Sequence, residues 1–229
     1  MFAVLSHDIY KAFESATGIK SYPLKEYSRL DAPVSSHSDM LICKIDNKVF
    51  CYEDYYKDNT LTFKEIEKAG YDVCFVSTVC ERTYPNDIAL NALIIGKNIF
   101  CNVKHTAKEI IEYAKASGYN LHNVKQGYSA CSTLVIDEKT AITGDLGMKI
   151  ALESAGITVY TIDNGQVKLE GYGNGFIGGT GVRIHNSIYF FGSPDAVENL
   201  TDIINSLGYS FKQVSCRSGL HDFGGVKIF

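Results

Sequence analysis

Apolar residues along this chain fall into short runs that come in pairs. "DMLICKIDNKVFCY", "ALNALIIGKNIFCN", "STLVIDEKTAIT" and "GVRIHNSIYFFG" each hold two alternating segments around a middle rich in Asp, Asn, Gly and Ser. That is the pattern of two antiparallel strands joined by a tight turn. Downstream the apolar period changes to that of a helix. "TFKEIEKAG" and "TAKEIIEYAKASG" both open with T-x-x-E, which predicts capping boxes of Thr62 with Glu65 and Thr106 with Glu109. "SPDAVENLTDIINSLG" predicts a helix with Ser193 as N-cap, Pro194 at the first position, and Val197, Leu200, Ile204 and Leu207 on the buried stripe.

Five segments end alike: "ESATGIKSYPL", "EKAGYDVCFV", "KASGYNLHNV", "ESAGITVYTI" and "NSLGYSFKQV". In each, a glycine closes the helix, Ile or Tyr follows, and a short alternating strand begins. A left-handed C-terminal residue explains the glycines, Gly18, Gly70, Gly118, Gly156 and Gly208. The repeating unit is therefore β-β-α-β. The glycines lie 52, 48, 38 and 52 residues apart, and the two chain ends together supply a fifth interval of 39. The units run approximately over 25–80, 81–126, 127–164 and 165–216, with a split fifth unit of 217–229 plus 1–24. Pairing of the terminal strands would close the five into a ring and protect the sheet edges.

Composition narrows the partners. The chain has 229 residues, 45% of them hydrophobic, enough for a sizeable core. A formal charge of −4 without basic runs argues against nucleic acid and acidic membranes. "MFAVLSHDIYKAF" lacks a basic leader and no segment is apolar for the ~18 residues of a membrane span. A cytoplasmic protein is expected. The seven cysteines (43, 51, 74, 80, 101, 131, 216) show neither a disulfide framework nor CxxC spacing. Cys43, Cys51, Cys74 and Cys101 sit in strand-like runs and read as core residues. His7, His105, His122 and His185 have no metal-ligand spacing, so neither a metal nor an organic cofactor is expected. The glycines of "GYGNGFIGGTG" match no nucleotide fingerprint and read instead as close backbone packing or a channel mouth.

Candidate chemistry gathers ahead of the first strand of each pair. There lie His37 and Asp39 in "SSHSDML", Asn86 and Asp87 in "NDIALN", Cys131 in "YSACSTLVI", Asn174 in "GYGNG", and His221 with Asp222 in "GLHDFGG". If "SSHSDML" is extended, His37 and Asp39 share one face. His221 and Asp222 are adjacent in a strand, so only one would face the channel. Arg183 in "GGTGVRI" could hold a substrate carboxylate. Cys131 has polar neighbours, Ser129, Ser132 and Thr133, unlike the core cysteines.

A closed ring of five β-β-α-β units resembles the pentein fold, the five-bladed α/β-propeller of the guanidine-modifying superfamily, along the full chain. That superfamily holds arginine and agmatine deiminases, dimethylarginine dimethylaminohydrolases and amidinotransferases, and also a non-catalytic translation factor that keeps ribosomal subunits apart. The resemblance implies a central site where a cysteine attacks a guanidinium carbon, carboxylates hold its nitrogens, and a histidine moves protons through a thiouronium intermediate. A thiolate near neutral pH calls for a cationic neighbour or a base.

Two registers of the resemblance stay open. In a permuted one, His37-x-Asp39 resembles the deiminase H-x-D motif, "NDIALN" resembles the next unit, and Cys131 falls two units after the histidine. It implies Cys131 as nucleophile, His37 as acid/base and Asp39 as guanidinium ligand, with Asn86, Asp87, Asn174, His221, Asp222 and Arg183 around the substrate. In the unpermuted register the nucleophile belongs in Gly219–Gly225, which has no cysteine. The chain would then be a non-catalytic protein binding a small ligand or a protein partner. The family's Glu-Gly-Gly motif has only a distant echo in "LEGYGNG" at Glu170.

Overall fold

The computed structural model describes residues 1–229. Five three-stranded sheets carry the chain: Cys43–Ile45, Lys48–Cys51 and Asp72–Phe75; Leu93–Ile95, Asn98–Cys101 and Asn120–Asn123; Thr133–Asp137, Thr140–Thr143 and Thr158–Thr161; Gly181–Ile184, Ser187–Phe190 and Ser210–Gln213; and Val226–Ile228, Ala3–Ser6 and Ser21–Leu24. In every sheet the first strand is antiparallel to the middle one, which is parallel to the third. This is the β-β-α-β unit five times over, the last one split between the chain ends. The split sheet pairs Ala3 with Ile228 and Leu5 with Val226. Phe2 and Phe229 exchange both backbone hydrogen bonds at 2.9 Å and stack with ring centroids 5.2 Å apart. The fold is the pentein α/β-propeller.

All five unit-ending glycines are left-handed, with φ between 70° and 89°. A Cβ on any of them would meet nothing within 4 Å, so backbone conformation alone selects glycine there. The next residue's N–H turns back onto the helix, as in Tyr119 to the Ala114 carbonyl at 2.9 Å and Ile157 to Leu152 at 3.1 Å. Its side chain packs on the core.

The core follows the ring. Buried apolar clusters join the split sheet to the sheets of Cys43 and Leu93, the Leu93 sheet to that of Thr133, the Thr133 sheet to that of Gly181, and the Gly181 sheet back to the split one. Each helix thus buries its stripe between neighbouring units.

Three local expectations give way to that packing. Thr62 lies inside the helix Thr60–Lys68, and its hydroxyl donates to the Pro23 carbonyl at 2.8 Å, while Glu65 accepts from the Tyr22 hydroxyl at 2.8 Å. Glu109 accepts from the Ser77 amide at 2.9 Å instead of capping its own helix, which starts at Lys108. Both expected capping boxes are spent on ties between units. The helix expected from Ser193 is split into a 3-10 turn, Pro194–Ala196, and Leu200–Ser206, because Asn199 takes φ 62°. The stripe itself survives, with Val197, Leu200 and Ile204 buried.

One element went unread in the sequence. Val167–Lys168 pairs in parallel with Leu220–His221, a two-stranded ribbon outside the five three-stranded sheets. It delivers the residues that follow His221 to the ring axis.

Candidate active site

Each inner strand is entered through a tight turn, and the five turns meet around the axis. Backbone and side-chain hydrogen bonds join them in sequence. The Gly224 carbonyl accepts from the Asp39 amide at 3.2 Å and the Ser38 hydroxyl at 2.8 Å. Asn91 donates to the Met40 sulfur at 3.3 Å and accepts from the Ala130 amide at 2.8 Å. The Cys131 carbonyl accepts from Gly178 at 2.7 Å, and the Gly179 carbonyl accepts from Phe223 and Gly225, each at 3.0 Å. Buried polar backbone thus satisfies itself from unit to unit, fixing the side chains the turns carry.

His37 and Asp39 do not lie on an extended segment. His37 precedes a four-residue helical turn, Ser38–Leu41, which gives the backbone a local partner as it enters the core. Both side chains are nevertheless buried. Neither Asp39 carboxylate oxygen meets a nitrogen or oxygen donor, and the donor beside it is the Cys131 thiol. Burial, above all, pushes this carboxyl up to about 6; the positive fields of His37 and Lys227 oppose the shift and that of Asp222 adds to it.

Cys131 is buried between Asn91 and the carboxylates. The Asn91 amide donates to its Sγ at 2.8 Å. Burial pushes the Cys131 thiol well above its ordinary range, and the negative fields of Asp39 and Asp222 push the same way. These fields are opposite in sign to that of the cationic neighbour expected beside a reactive thiol. Asp222 is held by the amides of Phe176 and Gly224, both at 2.9 Å, with His37 Nδ1 3.8 Å from its Oδ1.

A cavity of about 270 Å³ brings His37, Cys131, Asp222 and Asn174 together with Met40, Tyr128, Tyr172 and Phe176. A second cavity, of about 450 Å³, follows the inner strands, and it is this channel, not the thiol pocket, that Asp39 lines.

The remaining expected residues divide. Asp87 is buried behind the pocket and accepts from the Tyr128 hydroxyl at 2.6 Å. Burial raises its carboxyl. Asn86 is exposed and donates to Glu81 at 2.8 Å, outside the cavity. His221 turns away from the thiol pocket, with its ring nitrogen 3.2 Å from the Ser218 carbonyl, while Asp222 faces inward. Arg183 lines the central channel instead, its guanidinium 5.5 Å from the Tyr209 ring centre. No group of three or more His, Cys, Asp or Glu side chains is placed to hold a metal ion.

Asn91, Tyr128 and the 169–176 loop apart from Asn174 are not marked as site residues by the sequence. Asn91 had a signal, a fully buried amide in the apolar run "ALNALII". The glycine-rich stretch is the scaffold of the site. A Cβ at Gly179 would sit 1.7 Å from Asp222 Oδ1, and one at Gly178 would sit 2.3 Å from the Ala130 carbonyl. Gly224, at φ 73°, packs its backbone where a Cβ would lie 2.2 Å from the His37 Cβ. These glycines let three turns approach closely enough for His37, Cys131 and Asp222 to share one cavity.

The model of one protein family, described as a family of unknown function (DUF6873), matches residues 4–226. No curated protein matches the sequence. Among solved structures, the chain is similar to dimethylarginine dimethylaminohydrolase from Pseudomonas aeruginosa, a cysteine-to-serine variant complexed with citrulline, at a TM-score of 0.59 and 11% identity, covering 91% of this chain and 79% of that one. It is also similar to inosamine-phosphate amidinotransferase from Streptomyces griseus (TM-score 0.57, 9% identity, 93% and 74% covered) and to agmatine deiminase from C. jejuni (0.51, 14%, 93% and 74%). At these identities the likeness is one of fold. No helix is long and apolar enough to cross a membrane.

Proposed function

This chain belongs to the DUF6873 family, and on that premise we propose that it is a cysteine-dependent enzyme acting on a guanidine or amidine-like small molecule. Cys131 is the nucleophile, His37 the proton carrier, and Asp39 and Asp222 the ligands of the cation. The observation that carries this reading is one cavity that brings the buried Cys131 thiol, His37 and the Asp222 carboxylate together, next to the buried Asp39 carboxylate, whose donor is the Cys131 thiol alone. A carboxylate buried with so few donors is costly. A planar cation rich in N–H groups supplies the missing donors.

The chemistry follows from the electrostatics. With the site empty, burial above all, and then the fields of Asp39 and Asp222, favour the protonated thiol. A bound cation offsets their field, and the Cys131 proton passes to His37 as the Sγ–C bond forms at the guanidinium carbon. His37 returns that proton to the leaving nitrogen as the C–N bond breaks. Water, giving one proton to His37, then attacks the thiouronium carbon; the S–C bond breaks, the thiolate takes that proton back, and the proton left on the product oxygen passes to the released ammonia. The sum is guanidinium plus water giving a urea and an ammonium. An amine in place of water makes the same sequence a transfer.

A cation-binding protein without turnover is the second reading, favoured by the raised thiol and by the lack of a clear Glu-Gly-Gly motif. Acid quench of the protein mixed with methylguanidine, followed by peptide mass spectrometry, separates the two. The enzyme reading expects a Cys131 adduct and released ammonia, both abolished in Cys131→Ser. Protection of Cys131 from alkylation with neither adduct nor ammonia would establish binding without catalysis.

A further inference from the structure

We infer that the group attached to the substrate's guanidine or amidine is apolar or aromatic and carries no carboxylate, so that arginine and its relatives are poor ligands. The inference rests on the reading of Cys131, His37 and the carboxylates given above, and it concerns the rest of the cavity. Beyond those groups, the walls are Met40, Tyr128, Tyr172, Phe176, Leu169 and Val34, with only Asn174 polar. No lysine or arginine lines the cavity. Both tyrosine hydroxyls are committed elsewhere, Tyr128 to Asp87 at 2.6 Å and Tyr172 to Asp31 at 2.8 Å. They therefore offer ring surface and not hydroxyl donors.

An α-carboxylate in this cavity would lose its water, find no cation, and sit in the field of Asp222 with Asp87 and Asp31 behind the tyrosines. Lys168 and Arg217 line a neighbouring cavity that shares His37 and Asp222 with this one, and both are engaged: Lys168 donates to the Ser218 carbonyl at 2.9 Å, and Arg217 lies 5.2 Å over the Phe223 ring. An aromatic or aliphatic substituent gains what a carboxylate forfeits. Tyr84, Tyr128 and Phe176 form a run of rings with centroids 5.6 and 6.0 Å apart, leading from the exposed surface into the cavity. At about 270 Å³ the space lies just below the usual range for ligand sites, about 300–1,000 Å³. It takes one small substituent.

The test compares kcat/KM for benzylguanidine, butylguanidine, agmatine and arginine, together with protection of Cys131 from alkylation by each. We expect benzylguanidine and butylguanidine to exceed arginine at least tenfold, with agmatine between. Tyr172→Ala should reduce the benzylguanidine value several-fold while changing methylguanidine little. Leu169→Arg, which adds a cation at the cavity wall, should move the arginine-to-benzylguanidine ratio tenfold or more toward arginine. Arginine or agmatine matching benzylguanidine in the parent would overturn this inference and leave the proposed enzyme intact. Protection by benzylguanidine over arginine without turnover by any compound would uphold the inference and overturn catalysis. No turnover and no protection by any of the four would overturn both.

Discussion

At the residue scale, two carboxylates in one site are held in opposite ways. Asp222 accepts two backbone amides, whereas Asp39 accepts none and has only the Cys131 thiol as a donor beside it. Asp39 has its carboxyl raised from 3.8 to about 6, so between those values the folded protein holds a proton that the unfolded chain releases. Stability contributed by that proton is present at low pH and is lost as pH rises through about 6. Asp39→Asn should therefore raise stability at pH 7.5 by about 2 kcal/mol, give no gain at pH 4, and abolish turnover. Asp222→Ala should instead cost about 2–4 kcal/mol, because two buried amides lose a charged acceptor. Thermal unfolding of both variants at the two pH values checks the pair. His37, Asp39 and Cys131 were visible in the sequence as polar residues ahead of strand-like runs. Their convergence, Asn91's bond to the thiol and the inward turn of Asp222 were not, because each depends on contacts between units far apart in the chain.

At the element scale, the turns between strands matter more than the strands. The hydrophobic pattern forecast the strand pairs and most of the helices, since each buries one face locally. The capping boxes failed because Thr62, Glu65 and Glu109 bond to neighbouring units instead. The glycine-rich turn, residues 171–181, sets the spacing of the turns that carry Cys131 and Asp222. Gly179→Ala would place a methyl 1.7 Å from Asp222 Oδ1, so the Asp222 turn must move. The expected outcome is a loss of about 2–4 kcal/mol in denaturant unfolding, with no Cys131 adduct from methylguanidine. At Gly173, where a Cβ would meet nothing within 4 Å, alanine should leave stability within about 0.5 kcal/mol.

At the scale of the whole molecule, closure couples the ends to the site. The strand Val226–Ile228 is reached directly from the turn that carries Asp222 and Gly224. Phe229 stacks on Phe2 and meets Tyr71 edge-on at 4.9 Å, joining the split unit to the next one. Phe229→Ala should cost about 3 kcal/mol, read as roughly 6–12 °C in Tm. Because the apolar clusters run from unit to unit around the ring, loss of cation protection at Cys131 should coincide with global unfolding, and an earlier separate transition would contradict this coupling.

The sequence by itself determined the repeated unit, its left-handed glycines, the split fifth unit and the residues with chemical capacity, because alternation, helical period and positive-φ glycines are local physics. The tertiary structure decided which of those residues meet. It put Cys131, His37 and Asp222 at one cavity, sent Asp39 and Arg183 to the channel, and lined the remaining wall with aromatic rings. Those outcomes depend on burial and on contacts between turns far apart in the chain, which a linear pattern does not encode.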